Sequence, residues 1–143
     1  MDHPIVDLAP GADDNALALE VAQRIRENLA QSASKRRDFA ALRGTVLIVA
    51  KDTAETLTMR FDHGRLTIHD AAIGIPVLTF CANRQALWDL WNTPAKAWFR
   101  HPKKAFDFVF RPVAGGDIKI YGLISHPRTL RLFSSICSPP SAL

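Results

Sequence analysis

The chain has 143 residues, 48% of them hydrophobic, with a formal net charge of +4 and a sequence pI near 9.4. That length fits one domain, able to bury roughly two-thirds of its unfolded surface without disulfide or metal staples. The longest uncharged run, residues 71–83, is too short for a membrane span, and the N-terminal MDHPIVDLAPGADD puts acids and prolines where a signal peptide needs a basic start and an apolar run.

The two cysteines, Cys81 and Cys137, sit in apolar stretches and read as buried thiols rather than a disulfide, so a reducing cytoplasm is the expected compartment. Residues 1–72 carry 9 Lys and Arg against 11 Asp and Glu, whereas residues 73–143 carry 9 against 3. The second half is the basic one. Such a balance bears on solubility and non-specific partners more than on fold.

Residues 1–12, rich in Pro, Asp and Gly, read as a flexible arm ahead of a single domain over 13–137, with residues 138–143 as a flexible tail. Asp13 or Asp14 provides an acidic cap for a first helix in which Leu17, Val21, Ile25 and Leu29 recur at spacing four and Glu20 stands four residues before Arg24. Ser34 then caps a short second helix carrying Phe39 and Leu42 and ended by Gly44. Lys35, Arg36 and Arg37 on its first turn read as a solvated face.

From Gly44 to Asp70 the pattern changes to period two. Thr45–Ala50 is a β-branched run, Thr56–Phe61 alternates, and Arg65–His69 alternates again, with turns between, which predicts an antiparallel meander. Leu57, Met59, Phe61, Leu66 and Ile68 share one face of it, because side chains alternate along a strand. A sheet with one apolar face needs a cover.

Pro76–Cys81 reads as a fourth strand, and Asn83 as the cap of a helix whose Leu87, Leu90 and Trp91 share a face, closed at Asn92-Thr93-Pro94. Phe106, Phe108 and Phe110 alternate with Asp107, Val109 and Arg111, which predicts a strand forming a hairpin with Asp117–Tyr121. Ser125 caps a last helix with Pro127 in its first turn and a stripe of Leu130, Phe133, Ile136 and Cys137.

This order of elements resembles the sterol carrier protein type 2, or sterol-binding domain, family. The similarity covers roughly residues 39–136: the LTMRFDHGRLTIHD hairpin, PVLTF, the short Leu-rich helix, Pro102-Lys-Lys-Ala105-Phe106, the GDIKIYG stretch from Gly116 to Gly122, and a final helix with LRLFSSI. One departure is the segment from Phe106 to Gly115, which separates the Pro-x-x-Ala-Phe piece from the glycine-strand-glycine element that follows it almost directly in the family.

The resemblance implies an α+β fold with a five-stranded, mostly antiparallel sheet, helices on one face, and an apolar tunnel between them. It also implies non-enzymatic binding or transfer of a fatty acyl, sterol-like or isoprenoid ligand, with no cofactor; bacterial members include accessory proteins of isoprenoid quinone synthesis. With that fold, sheet parity nominates Met59, Phe61, Leu66, Ile68, Phe80 and Ile120 as lining residues, facing Leu130 and Phe133 of the last helix as a lid. The alternative is that all eight are plain core of an accessory or protein-interaction module whose pocket is closed.

Trp98, Phe99, Arg100, Lys103 and Lys104 mix aromatics with cations; the plain reading is a solvated loop with a buried Trp, and the functional one is transient contact with an anionic membrane surface or a partner. Single-stranded nucleic acid is the disfavoured third reading of the same segment. Enzyme motifs are missing: there is no Gly-x-Ser-x-Gly, His-Glu-x-x-His, Cys-x-x-Cys or phosphate-cradling glycine loop. His63, His69 and Asp70 lack a neighbouring Cys or third His, so no metal site is expected.

Overall fold

A computed structural model describes residues 4–92, 118–122 and 125–139. The expected meander is present as β2 (Arg43–Ala50), β3 (Glu55–Asp62) and β4 (Arg65–His69), paired antiparallel with Val46 opposite Met59 and Met59 opposite Ile68. It is flanked by β1 (Ile5–Leu8), β5 (Leu78–Ala82) and β6 (Ile118–Tyr121) in the order β1-β4-β3-β2-β5-β6.

This corrects the expected sheet in two ways. It has six strands rather than five, because Ile5–Leu8, in the stretch read as a loose arm, pairs along β4. It is mixed rather than mostly antiparallel, since β1 runs parallel to β4 and β5 parallel to β2. The parallel β5 follows from a crossover: after β4 the chain spans β3 and β2 before it pairs again. Thr58, on the face away from the core, donates to the carbonyl of Ala71 and accepts from the Ile73 N–H at 3.0 Å. The crossover therefore passes over that outer face.

Four helices are described: α1 (Ala16–Gln31), α2 (Ala33–Ala41), α3 (Arg84–Asn92) and α4 (Pro127–Cys137). The cap of α1 is Asn15 rather than Asp13 or Asp14, which lie in a 3-10 turn, Ala12–Asp14. An amide does here what a carboxylate cannot: its oxygen accepts from Ala18 N at 3.1 Å while its nitrogen donates to Thr56 O and to the Asp70 carboxylate at 2.8 Å. Asn15 thus starts the helix and pins it to the sheet.

The expected i to i+4 pair does not form either. Glu20 is taken by Arg84, and Arg24 lies over the Trp88 ring at 5.0 Å and donates to Asn92. Ser32, not Ser34, caps α2, and His126, without a side-chain bond, precedes α4 where Ser125 was expected.

The core is one cluster between the inner sheet face and the helices. Leu17, Val21, Ile25 and Leu29 of α1, Leu87, Leu90 and Trp91 of α3, and Leu130, Phe133, Ile136 and Cys137 of α4 are all buried in it. Gly122, just after β6, has φ +90°, and a Cβ there would stand 2.0 Å from the Val77 carbonyl oxygen. Only glycine lets β6 end against β5 so closely.

Candidate apolar ligand site

The lining candidates converge. Cross-strand register places Phe61 beside Leu66, Met59 beside Ile68 and Phe80 beside Ile120, all on the inner face. Leu130 and Phe133 reach the same cluster from α4, and seven of the eight are buried, Ile120 being half-buried at its edge. Phe133 is the hub: its ring stacks on Phe80 at 5.3 Å and meets Phe61 and Trp91 edge-on at 6.1 and 6.2 Å. Phe39 of α2 adds an edge contact to Phe61.

A hollow against α4 reaches this set from outside at Phe61. It measures about 580 Å³ and lies where the start of β2 and the end of β3 meet the first half of α4. Phe61, Leu42, Val77 and Leu132 give it apolar walls, while Arg43, Asp62, His126 and Arg128 stand at its rim. Of these only Phe61 is among the residues that sheet parity nominates. Leu132 falls outside the α4 stripe read from spacing, and no sequence signal joins Arg43 to Arg128 across 85 positions.

A polar atom is also enclosed in the interior. The Trp91 indole Nε1 is buried and has no hydrogen-bond partner among the described residues. Buried donors are seldom left unsatisfied. An acceptor oxygen on a guest molecule would satisfy this one.

The opposite end of α4 is tied down. Lys35, expected at a solvated face, is buried, and its Nζ donates to the Ser135 and Ser138 carbonyls at 2.6 and 2.7 Å and to Ser138 Oγ at 3.0 Å. Asn28 Nδ2 donates to the Ile136 and Ser138 carbonyls at 2.8 and 2.7 Å, and Arg24 to the Cys137 carbonyl at 3.1 Å. These groups satisfy the carbonyls that a helix leaves free at its C-terminus, with cations at the negative end of its dipole.

Burial holds the Lys35 ammonium below the usual lysine range, and burial also pushes the Cys137 thiol up to about 12. Cys81 and Cys137 are both free thiols, but only Cys137 is fully buried; Cys81 is half-buried.

Other nominated residues lie elsewhere. His63 occupies the β3–β4 turn at φ +43°, and His69 points to the outer sheet face while Asp70 is engaged by Asn15. Trp98, Phe99, Arg100, Lys103 and Lys104, like the Phe106–Gly115 segment with Phe108 and Phe110, lie outside the described residues.

Two solved structures share this fold. One, titled "UbiJ-SCP2 Ubiquinone synthesis protein", superposes with a TM-score of 0.56 over 88% of this chain and 90% of its own, at 14% identity. The other is a crystal structure of sterol carrier protein 2, with a TM-score of 0.50 over 82% and 91% of the two chains, at 9% identity. The chain has a sterol-carrier-type fold.

No protein-family model matches the sequence, and no curated protein does. With identity this low, the likeness shows the fold alone. No helix among the described residues is long and apolar enough to cross a membrane.

Proposed function

We propose that this protein binds a lipid-type ligand without catalysing its conversion. The fatty acyl, sterol-like or isoprenoid body would lie between the inner sheet face and α4, entering past Phe61 and Leu132. What supports the reading most is the meeting of the 580 Å³ hollow with the aromatic set at Phe61. Apolar surface leaving water there gains roughly 25 cal/mol per Å², so binding needs no ion pair. The Trp91 N–H, buried and without a partner among the described residues, suits a ligand with one oxygen acceptor, and the sterol-carrier-type fold agrees with an apolar cargo.

Mass spectrometry of the intact protein from its native host, followed by organic extraction, tests this directly. A stoichiometric apolar molecule is the expected result, and Leu132→Trp, which fills the opening, should abolish uptake of that molecule while the chain stays folded. A protein that is repeatedly empty and takes up no fatty acid, sterol or quinone would end the carrier reading.

One observation favours a second reading, a closed accessory or interaction module in isoprenoid quinone or lipid metabolism. Phe80 and Phe133 are stacked at 5.3 Å, and rings so packed fill the space a tunnel would occupy. The two readings part on a single result, because a ligand must separate those rings and an accessory module need not.

A further inference from the structure

Two buried side-chain polar atoms among the described residues have no hydrogen-bond partner. One, Asn28 Oδ1, belongs to the clamp on the α4 C-terminus, where the same amide already donates twice. The other, Trp91 Nε1, stands in an aromatic setting. The Trp91 side chain is 1% exposed and its ring lies edge-on to Phe80, Trp88 and Phe133, with centroids 6.1, 5.1 and 6.2 Å away. A purely apolar ring at this place would leave no donor unmade, and an unmade buried donor destabilises the fold.

Trp91 also stands behind the opening at α4. Phe61 is a wall of that hollow and touches Phe133, and Phe133 touches Trp91. Phe80 and Phe133, stacked at 5.3 Å, both meet Trp91, so a group inserted between them lies against the indole.

What that group can be follows from what the indole offers. Its N–H donates and cannot accept. It therefore completes a carbonyl oxygen, which accepts only. A hydroxyl would bring a hydrogen of its own into the ring set, where Trp91 has nothing to accept it. An ionised carboxylate would leave water for one neutral donor, and burying a charge without an opposite charge is far costlier than burying a neutral oxygen. Among the described residues the cation set on this group of rings is Arg24, which lies over Trp88, not Trp91, and already donates to Asn92 Oδ1 and the Cys137 carbonyl.

We infer that Trp91 is a specificity-determining residue whose N–H selects apolar lipids with an acceptor-only oxygen, a ketone, quinone or ester carbonyl, over alcohols and ionised acids. The inference rests on the ligand-binding reading above. It narrows the fatty acyl, sterol-like and isoprenoid bodies by their polar group rather than by their shape.

The test is competition for the full chain between ligands that share a body, with the bound fraction extracted and quantified. The sets are methyl palmitate against hexadecanol and palmitate, cholestenone against cholesterol, and geranylgeranylacetone against geranylgeraniol. For whichever body is taken up, the carbonyl member is expected to be favoured about tenfold, the weight of one hydrogen bond made rather than missed. Trp91→Phe keeps an aromatic ring and removes the donor, and the same competition should then fall within about twofold of even. On the wild type, NMR follows the indole N–H directly. Its proton resonance, assigned by through-space contacts to Phe80 and Phe133, should move downfield when the carbonyl ligand is loaded.

Equal uptake of carbonyl and hydroxyl members by the wild type overturns the proposal, as does a preference that survives Trp91→Phe. An indole resonance that stays in place on loading also overturns it and assigns the N–H to the face of a neighbouring ring. In each of these cases a ligand is still bound, so the carrier reading stands. Uptake of no member of any set ends that reading, and this one with it.

Discussion

The two ends of α4 are made of different things. At its C-terminal end, Arg24, Asn28 and Lys35 from α1 and α2 satisfy the carbonyls of Ser135 through Ser138 in a buried polar clamp. At its N-terminal end, His126 caps without a side-chain bond, Pro127 supplies the first turn, and Arg128, Thr129 and Leu132 face a hollow. One end is held by interactions that are costly to break, and the other by a partly open apolar contact. The C-terminal end is thus fixed by buried hydrogen bonds, and the N-terminal half by packing of Leu130, Leu132 and Phe133.

The substitution with the largest expected effect tests what joins the two ends. Phe133→Ala removes the ring that touches Phe61, Phe80 and Trp91 together. It should cost ~3–5 kcal/mol in denaturant unfolding, as deletions of buried aromatics do. Breaking the clamp comes next. Lys35→Ala strands buried carbonyls and should cost about 2–3 kcal/mol, while uptake of a ligand through the α4 hollow by the folded fraction is unchanged. If that variant loses ligand uptake but no stability, the contrast between the ends is inverted.

A titration sharpens the same contrast at smaller size. Cys137 ionises near 9 when the chain is unfolded and near 12 in the fold, so the folded state holds its proton longer. Its contribution is fully present below pH 9 and is lost as pH rises from there towards 12, about 1.4 kcal/mol being gone by pH 10. Lys35, shifted down by burial, works in the opposite direction. Cys137→Ala removes the thiol together with its coupling to Lys35, and the variant should lose stability less steeply than the wild type between about pH 9 and 11.

The smallest expected effect on stability lies at the open end. Arg128→Ala, an exposed residue at the rim, should change unfolding free energy by no more than about 0.5 kcal/mol. If the rim guides an anionic ligand, the same change should slow its uptake in stopped-flow measurements at low salt.

Much of the sheet was readable without coordinates. Strict alternation in β3 and β4 names the inner face, and Leu57, Met59, Phe61, Leu66 and Ile68 are all buried there. The α4 stripe of Leu130, Phe133, Ile136 and Cys137 was legible for the same reason. What escaped was pairing. Period-two alternation is the same for a parallel and an antiparallel neighbour, so β5 carries no mark of running parallel to β2. Ile5–Leu8 is only four residues long among prolines and acids, too short for its alternation to outweigh the turn signals around it.

Lys35 shows the limit for single residues. In sequence it belongs to a basic triplet at a helix start, where a solvated face is the ordinary reading. Its burial depends on the end of a helix 100 positions further along, whose unpaired carbonyls no local pattern announces.

By itself, then, the sequence determined which faces are apolar, because burial periodicity is written into each element separately. It also determined the α+β character and the resemblance to sterol carriers, through the order of those elements. Tertiary structure alone decided which strands meet, which end of α4 is clamped and which opens on a hollow, and that the 71–76 loop lies over the outer face. Those outcomes depend on contacts between residues far apart in the chain, where hydrogen-bonding groups and apolar surfaces find partners only after the elements have packed.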